Sequence, residues 1–207
     1  MPTTVVDHPL AAEQLTVLRD ERTDRASFRR AVDALAGMVL YEATRDLELE
    51  AVTVRTPLAE TTGHRVARPP LLVPVLRAGL GMAEAAIRLL PQAEMSFIGL
   101  TRDEETFAPH PYMAKVPDEL HGRRVLMLDP MLATGGSLAY ACQMVHDRGA
   151  GRITVVCILA APEGLAHLST RGFAIDVVCA AVDERLNDQA YIVPGLGDAG
   201  DRLYGLP

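Results

Sequence analysis

The 207-residue sequence contains no tryptophan, and aromatic residues make up only 4% of it. Its three cysteines, Cys142, Cys157 and Cys179, include no C-x-x-C pair. An odd count at wide spacing argues against a disulfide framework and against a thiolate zinc site. Cys157 and Cys179 fall inside apolar runs and read as small core residues. The six histidines show no metal-ligand spacing. No apolar run approaches the ~18 residues of a membrane span. The opening "MPTTVVDHPL" lacks the basic-then-apolar order of a secretory signal. The expectation is a soluble cytoplasmic protein with no membrane partner. Positive charge is also scarce, with 20 Lys and Arg against 27 Asp and Glu and a net charge of −7. Affinity for nucleic acid rests mainly on phosphate neutralisation by Lys and Arg, so nucleic acid is not an expected partner. A small phosphorylated ligand held by a few local groups remains compatible with this balance.

About half the residues are apolar (49%), enough for a sizeable core in one domain spanning residues 1–207. Residues 9–22 and 27–45 have helical periodicity. In the second stretch Phe28, Val32, Leu35, Val39 and Leu40 recur at helical spacing, with Ser27 placed to cap the start. From about residue 50 the rhythm changes to strands. "EAVTVRT" alternates, "LLVPVL" (71–76) is continuously apolar, and "MSFIGL" (95–100) and "RVLMLD" (124–129) follow. "ITVVCILAA" (153–161) and "AIDVVCAAV" (174–182) complete the series. Helical stretches separate several of them, among them "MAEAAIRLL" and "PEGLAHLSTRG". Continuous apolar strands alternating with helices imply an α/β fold, a mostly parallel central sheet flanked by helices on both faces. The core then runs over about 50–182, after N-terminal helices over about 9–45.

Two segments break the pattern. Residues 101–118, "TRDEETFAPHPYMAKVPD", carry charges and three prolines without a clear period, as a lid, a binding arm or a disordered segment does. The tail from about 183 to 207 is rich in glycine. Its Ile192, Val193, Leu203 and Tyr204 are apolar enough to order it against the body.

Chemistry concentrates at "RRVLMLDPMLATGGSLAYACQMV" (123–145). A buried strand ends in a carboxylate, Asp129, and "PMLATGGS" then turns the chain into a helix opening near Ser137. In a parallel sheet, ligands sit beyond the carboxyl ends of the strands. Unsatisfied amides at a helix start attract an anion, worth about 0.3–2 kcal/mol for the helix terminus alone. Gly135 and Gly136 let the backbone approach a phosphate, and Thr134 and Ser137 add hydroxyls. Asp129 would repel a phosphate, but it suits the hydroxyls of an attached sugar or a metal. The alternative is a capped helix after a tight turn, which any α/β protein needs. The sequence has no G-x-x-x-x-G-K-[ST] loop, which removes a P-loop nucleotidase. "GLGDAG" (195–200) matches G-x-G-x-x-G, but too little chain follows for a dinucleotide fold.

Taken together, "LDPMLATGGS", "PVLRAGLGM" and "YIVPGLGDAGDR", with "HPL" and "YEATRDL" before them, resemble the uracil phosphoribosyltransferase family over essentially the whole chain. In the broader type I phosphoribosyltransferase family the strand-end motif usually carries two consecutive acids. Here Pro130 follows Asp129, as in the uracil branch. The resemblance implies a pentosyltransferase that converts uracil and 5-phospho-α-D-ribose 1-diphosphate (PRPP) to UMP and diphosphate in pyrimidine salvage, with Mg2+ as cofactor. It implies that Asp129, Pro130, Met131, Leu132, Ala133, Thr134, Gly135, Gly136 and Ser137 bind the ribose and its 5-phosphate. Arg77 and Arg102 would contact the diphosphate. Arg77 would also act in catalysis with Asp129 and Asp198, in a turn that in related enzymes often holds a non-proline cis peptide.

By the same resemblance the loop that opens at Arg102 and holds His110 and Lys115 closes over the donor. The tail is then a base-binding hood, in which Ile192, Gly197 and Ala199 contact uracil largely through main-chain atoms. Asp198 lies between base and donor, facing PRPP or its metal. Family members are usually dimers or larger, and GTP activates some of them. Two rivals stand beside this reading: a phosphoribosyltransferase for another base, and a regulatory protein that keeps the fold to bind RNA.

Overall fold

The computed structural model describes residues 1–102 and 109–205. A short strand β1 (Thr3–Val5) leads into helices α1 (Pro9–Arg19) and α2 (Arg25–Ala43). α1 starts where His8 accepts the Leu10 amide at 3.1 Å and Pro9 occupies the first turn, where its missing N–H costs nothing. α2 is capped by Asp24, not by Ser27. The Asp24 carboxylate accepts the Ser27 amide at 3.0 Å and its hydroxyl at 2.7 Å. Both are good caps by composition, but Ser27 lies inside the helix, and the carboxylate three residues before it takes both its amide and its hydroxyl.

Strands β2 (Leu49–Arg55) and β3 (Glu60–Val66) form an antiparallel hairpin outside the main sheet, in register from Leu49↔Val66 to Arg55↔Glu60. The sequence shows the first of these strands and conceals the second. Both are largely exposed, so "ETTGHRV" carries no buried-face alternation to read. The Thr56 hydroxyl closes the turn by accepting the amides of Leu58 and Ala59 at 3.1 and 3.0 Å.

The core then alternates as the apolar runs imply. β4 (Leu71–Leu76) is followed by α3 (Leu80–Leu89), β5 (Glu94–Met95), β6 (Phe97–Arg102) and β7 (Pro109–Lys115). Next come β8 (Val125–Leu128), β9 (Met131–Leu132), α4 (Gly136–Asp147), β10 (Ile153–Val156) and β11 (Leu159–Ala160). α5 (Pro162–Ser169), β12 (Ile175–Cys179) and β13 (Ala181–Val182) complete it. The main sheet runs β1-β12-β10-β8-β4-β6-β7, parallel except for the β6/β7 pair, with β5 beside β4. Beyond the carboxyl ends of β8, β10 and β12, the short strands β9, β11 and β13 form a second parallel sheet.

Alternate residues of the central strands divide between two cores. Leu72, Leu126 and Leu128 pack with α1, α2 and α3, while Leu71, Val73, Val125 and Met127 pack with α4 and α5. Burial on both faces is why these strands read as unbroken apolar runs. All three cysteines are buried, and burial pushes the Cys142 thiol up to about 12. No helix among the described residues is long and apolar enough to cross a membrane.

The segment expected to be one long loop is part strand. β7 pairs antiparallel with β6 from Phe97↔Lys115 to Arg102↔Pro109, while residues 103–108 lie outside the described residues. Prolines at 109 and 111 masked the strand, which tolerates them because it is the edge of the sheet. The tail is ordered, as its apolar residues imply. β14 (Arg185–Leu186) pairs antiparallel with β15 (Ile192–Val193), and α6 (Ala199–Tyr204) follows.

Candidate active site

Three strand ends and the tail converge on one cavity of about 470 Å³. β4 delivers Arg77 and Ala78, β6 delivers Leu100, and β8 delivers Asp129, with Met131 and Ala133 just beyond. The tail closes the other side with residues 189–192 and 197–200. Of the residues singled out in the sequence, Arg77, Asp129, Met131, Ala133, Ile192, Gly197, Asp198 and Ala199 line this one space. They come from segments more than a hundred positions apart.

Asp129 follows the last residue of β8 and is half-buried. Its backbone amide donates to the Val156 carbonyl at 3.2 Å, and its carboxylate accepts the Met131 amide at 3.2 Å. Pro130 and Leu132 are buried, and their carbonyls accept amides of the neighbouring segment: Ile158 and Leu159 at 3.0 Å, and Ala161 at 2.8 Å. These two residues fasten the turn to the sheet.

After Ala133 the chain reaches Gly135, in the left-handed region at φ 80°, and α4 begins at Gly136. The Gly135 carbonyl accepts the Ala139 amide at 2.7 Å. The first amides of α4, from Gly136 onward, are the intrinsically unpaired donors of a helix start. Half-buried Thr134 and Ser137 flank them, and the Thr134 hydroxyl stands 3.5 Å from the Gly136 amide.

Arg77 is joined to Leu76 by a cis peptide bond and its side chain is 56% exposed. Its guanidinium lies 3.5 Å from the Asp201 carboxylate, in the first turn of α6. The turn is held tightly from behind. A Cβ on Gly79 would sit 2.2 Å from the Leu128 carbonyl oxygen, so only glycine lets the Arg77 turn meet the end of β8. Arg102 ends β6, and its side chain lies outside the described residues. His110 and Lys115 are exposed on β7. Lys115 pairs with Phe97, about 16 Å of strand from Arg102, at the end of β6 remote from the cavity.

In the tail, Asn187 accepts the amides of Gln189 and Tyr191 at 3.0 and 2.9 Å, tightening the β14–β15 turn. Ile192 is buried, the Val193–Pro194 bond is cis, and Gly197 is exposed. Asp198 caps α6 by accepting the Asp201 amide at 2.9 Å. Two residues not singled out in the sequence, Asp183 and Arg19, hold this hood. Asp183 accepts both guanidinium nitrogens of Arg19, at 2.5 and 2.9 Å, and the Gly195 amide at 2.8 Å. Burial pushes the Asp183 carboxyl up, but the Arg19 and Gly195 hydrogen bonds and the Arg19 charge together hold it below its ordinary value. Asp183 is, like Asp129, an acid at the end of an apolar strand, and that was its visible signal. Gly164 is the other kind of omission, a glycine within a helical pattern that faces the Gly135 turn.

No group of three or more metal-binding side chains occurs among the described residues. Asp129 and Asp198 are the carboxylates that line the cavity, and they form no ready-made metal cluster. They fit a Mg2+ bound chiefly through substrate oxygens, which is how that ion prefers to be held.

A family model described as uracil phosphoribosyltransferase matches residues 5–206. The chain belongs to the uracil phosphoribosyltransferase family. It is 53% identical over 201 residues to the uracil phosphoribosyltransferase of Corynebacterium diphtheriae, covering 97% of this chain and 95% of that one. It is 55% identical to the Nocardioides protein of the same name, covering 100% and 99%. Among solved structures, the AQ2163 protein of Aquifex aeolicus superposes with a TM-score of 0.93 at 38% identity, over 99% of this chain and 98% of that one. A hypoxanthine-guanine phosphoribosyltransferase from Bacillus anthracis superposes at 0.53 with 12% identity, over 77% and 80%. That second likeness is one of fold alone: the α/β fold of type I phosphoribosyltransferases.

Proposed function

We propose that this protein transfers the phosphoribosyl group of PRPP to uracil, forming UMP and diphosphate. The observation that carries this reading is the single cavity. Asp129, the Arg77 turn and the tail border one space, and the segment that lines it at Met131 and Ala133 runs directly into the helix start at Gly136. Full-length family relatives at 53–56% identity support the same choice of base.

The chemistry follows from placement. The amides and hydroxyls of Thr134–Ser137 hold the 5-phosphate, and Asp129 accepts from the ribose hydroxyls. Ile192, Gly197 and Ala199 read the uracil edge through main-chain groups. A site built for one donor–acceptor pattern leaves buried groups unpaired with the wrong base. N1 of uracil forms its bond to the anomeric carbon as the bond to the diphosphate oxygen breaks. Arg77, and by family resemblance Arg102, stabilise the charge that leaves. The N1 proton passes to Asp198 or to water. Asp198 would be the residue to hold Mg2+, which would supply charge neutralisation to the diphosphate. Positioning and charge stabilisation supply most of the rate, because no covalent step by the protein is needed.

We propose a homodimer or larger homo-oligomer as the working form. Exposed apolar residues on the β2–β3 hairpin, Leu49, Val54 and Leu58, support a second copy there. Family membership alone supports GTP as an activator and the cytoplasm as the location. Assaying UMP formation with uracil, cytosine, orotate and hypoxanthine, with and without GTP, tests the reading. Turnover of another base in preference to uracil would replace it, and RNA binding without turnover would remove it.

A further inference from the structure

We infer that Asp183 and Arg19 are positioning residues of the uracil site, setting where the base-reading backbone stands. This rests on the function proposed above. Neither residue lines the cavity, so neither touches the base. Both act on Gly195, which lies between Ile192 and Gly197. The Asp183 carboxylate takes the Gly195 amide at 2.8 Å, and Arg19 donates to the Gly195 carbonyl at 2.8 Å. Both polar groups of one turn residue are therefore fixed by one ion pair.

The pair is itself anchored at both ends. The Asp183 amide donates to the Ala160 carbonyl at 2.9 Å, tying it to the sheet of β9, β11 and β13. Its side chain is 4% exposed, so the hydrogen bonds act in a water-poor setting. Arg19 is the last residue of α1. A second arginine repeats the attachment next door. Arg202 donates to the Leu196 carbonyl at 2.8 Å, to the Asp20 carbonyl at 2.7 Å, and to the Leu18 carbonyl. The carboxyl end of α1 is thus the seat of the hood, and the N-terminal helices take part in base recognition. The pair holds both sides of the turn between the base contacts Ile192 and Gly197, where a shift of the backbone would reach the base.

The test uses R19Q, R19K and D183N in the full-length chain. Steady-state rates give KM for uracil and for PRPP, calorimetry gives PRPP–Mg2+ affinity, and thermal unfolding confirms the fold. R19Q and D183N are expected to raise the uracil KM about 10- to 100-fold while PRPP affinity stays within about twofold, because misplacement by an ångström is costly at a reacting centre. R19K, which keeps the charge and one donor, should recover part of that loss. Uracil KM values like the wild type in folded variants would overturn the inference. So would equal weakening toward both substrates, or loss of fold in every variant. A wild-type protein that makes no UMP would instead sink the proposed function, so the two failures are separable.

Discussion

Gly135 and Gly164 abut across the floor of the anion cradle. A Cβ on Gly135 would stand 2.9 Å from the Gly164 carbonyl oxygen, and one on Gly164 would stand 2.4 Å from the Ala133 carbonyl oxygen. The first turn of α5 therefore supports the loop from beneath, and two backbones meet with no room for a side chain. Replacing Gly164 by alanine is expected to destabilise the protein by about 1–3 kcal/mol, as overpacking against backbone does. It should also weaken PRPP binding, because the cradle must shift to make room. Thermal unfolding with a PRPP titration checks both, and wild-type values in both would show that the contact is slack.

Asp129 sits at the strand end, where its carboxylate accepts the Met131 amide. Asparagine can accept that bond but brings no charge to the ribose. The variant D129N should lose about 100-fold or more in turnover, on the scale of removing one electrostatic contact to a transition state. Its unfolding midpoint should barely move. Retained activity would take Asp129 out of the mechanism.

Arg77 and Asp201 form an open pair, 56% and 32% exposed at 3.5 Å. Exposed pairs of this kind contribute about 0–1 kcal/mol, so the contact is easily surrendered to a diphosphate. R77A should weaken both PRPP and diphosphate binding strongly, whereas D201N should leave them equal or slightly tighter by freeing the guanidinium. Inhibition by diphosphate measures both variants on one scale. A D201N loss as large as that of R77A would mean that Asp201 itself serves the ligand.

Asp183 gives a pH dependence of definite sign. Its folded-state carboxyl lies below the ordinary value of 3.8. The stabilisation it provides is therefore complete above that value and is lost as pH falls through the lower folded-state value. The difference in unfolding midpoint between wild type and D183N should be constant from neutral pH down to about pH 5, and should shrink below about pH 4. A gap that persisted unchanged at low pH would mean that packing, not the carboxylate's charge, carries the contribution.

Much of this was legible because each feature left a local mark. The apolar runs 71–76, 124–129 and 153–161 announced central strands, since burial on both faces removes polar alternation, although the structure breaks the last of them into β10 and β11. The acid and glycines at 129–137 marked a strand end and a helix start, and the structure opens α4 at Gly136, within a residue of Ser137. What was hidden lacks such marks. The β3 strand is exposed, and β7 is an edge strand with prolines at its start. Ser27 reads as the cap of α2, but the Asp24 carboxylate caps it, and only three-dimensional reach decides between them. Partners 164 residues apart, such as Arg19 and Asp183, have no sequence spacing to betray them. Lys115, the only lysine in the chain, looked like part of a charged arm. The antiparallel register carries it to the far end of the sheet from the cavity.

The most direct measurement is a crystal structure of the protein with PRPP and magnesium. The account requires the 5-phosphate against the amides at the start of α4, with the ribose hydroxyls on Asp129 and the diphosphate toward Arg77. PRPP bound at saturating concentration in any other place, with the 129–137 turn empty, would contradict it.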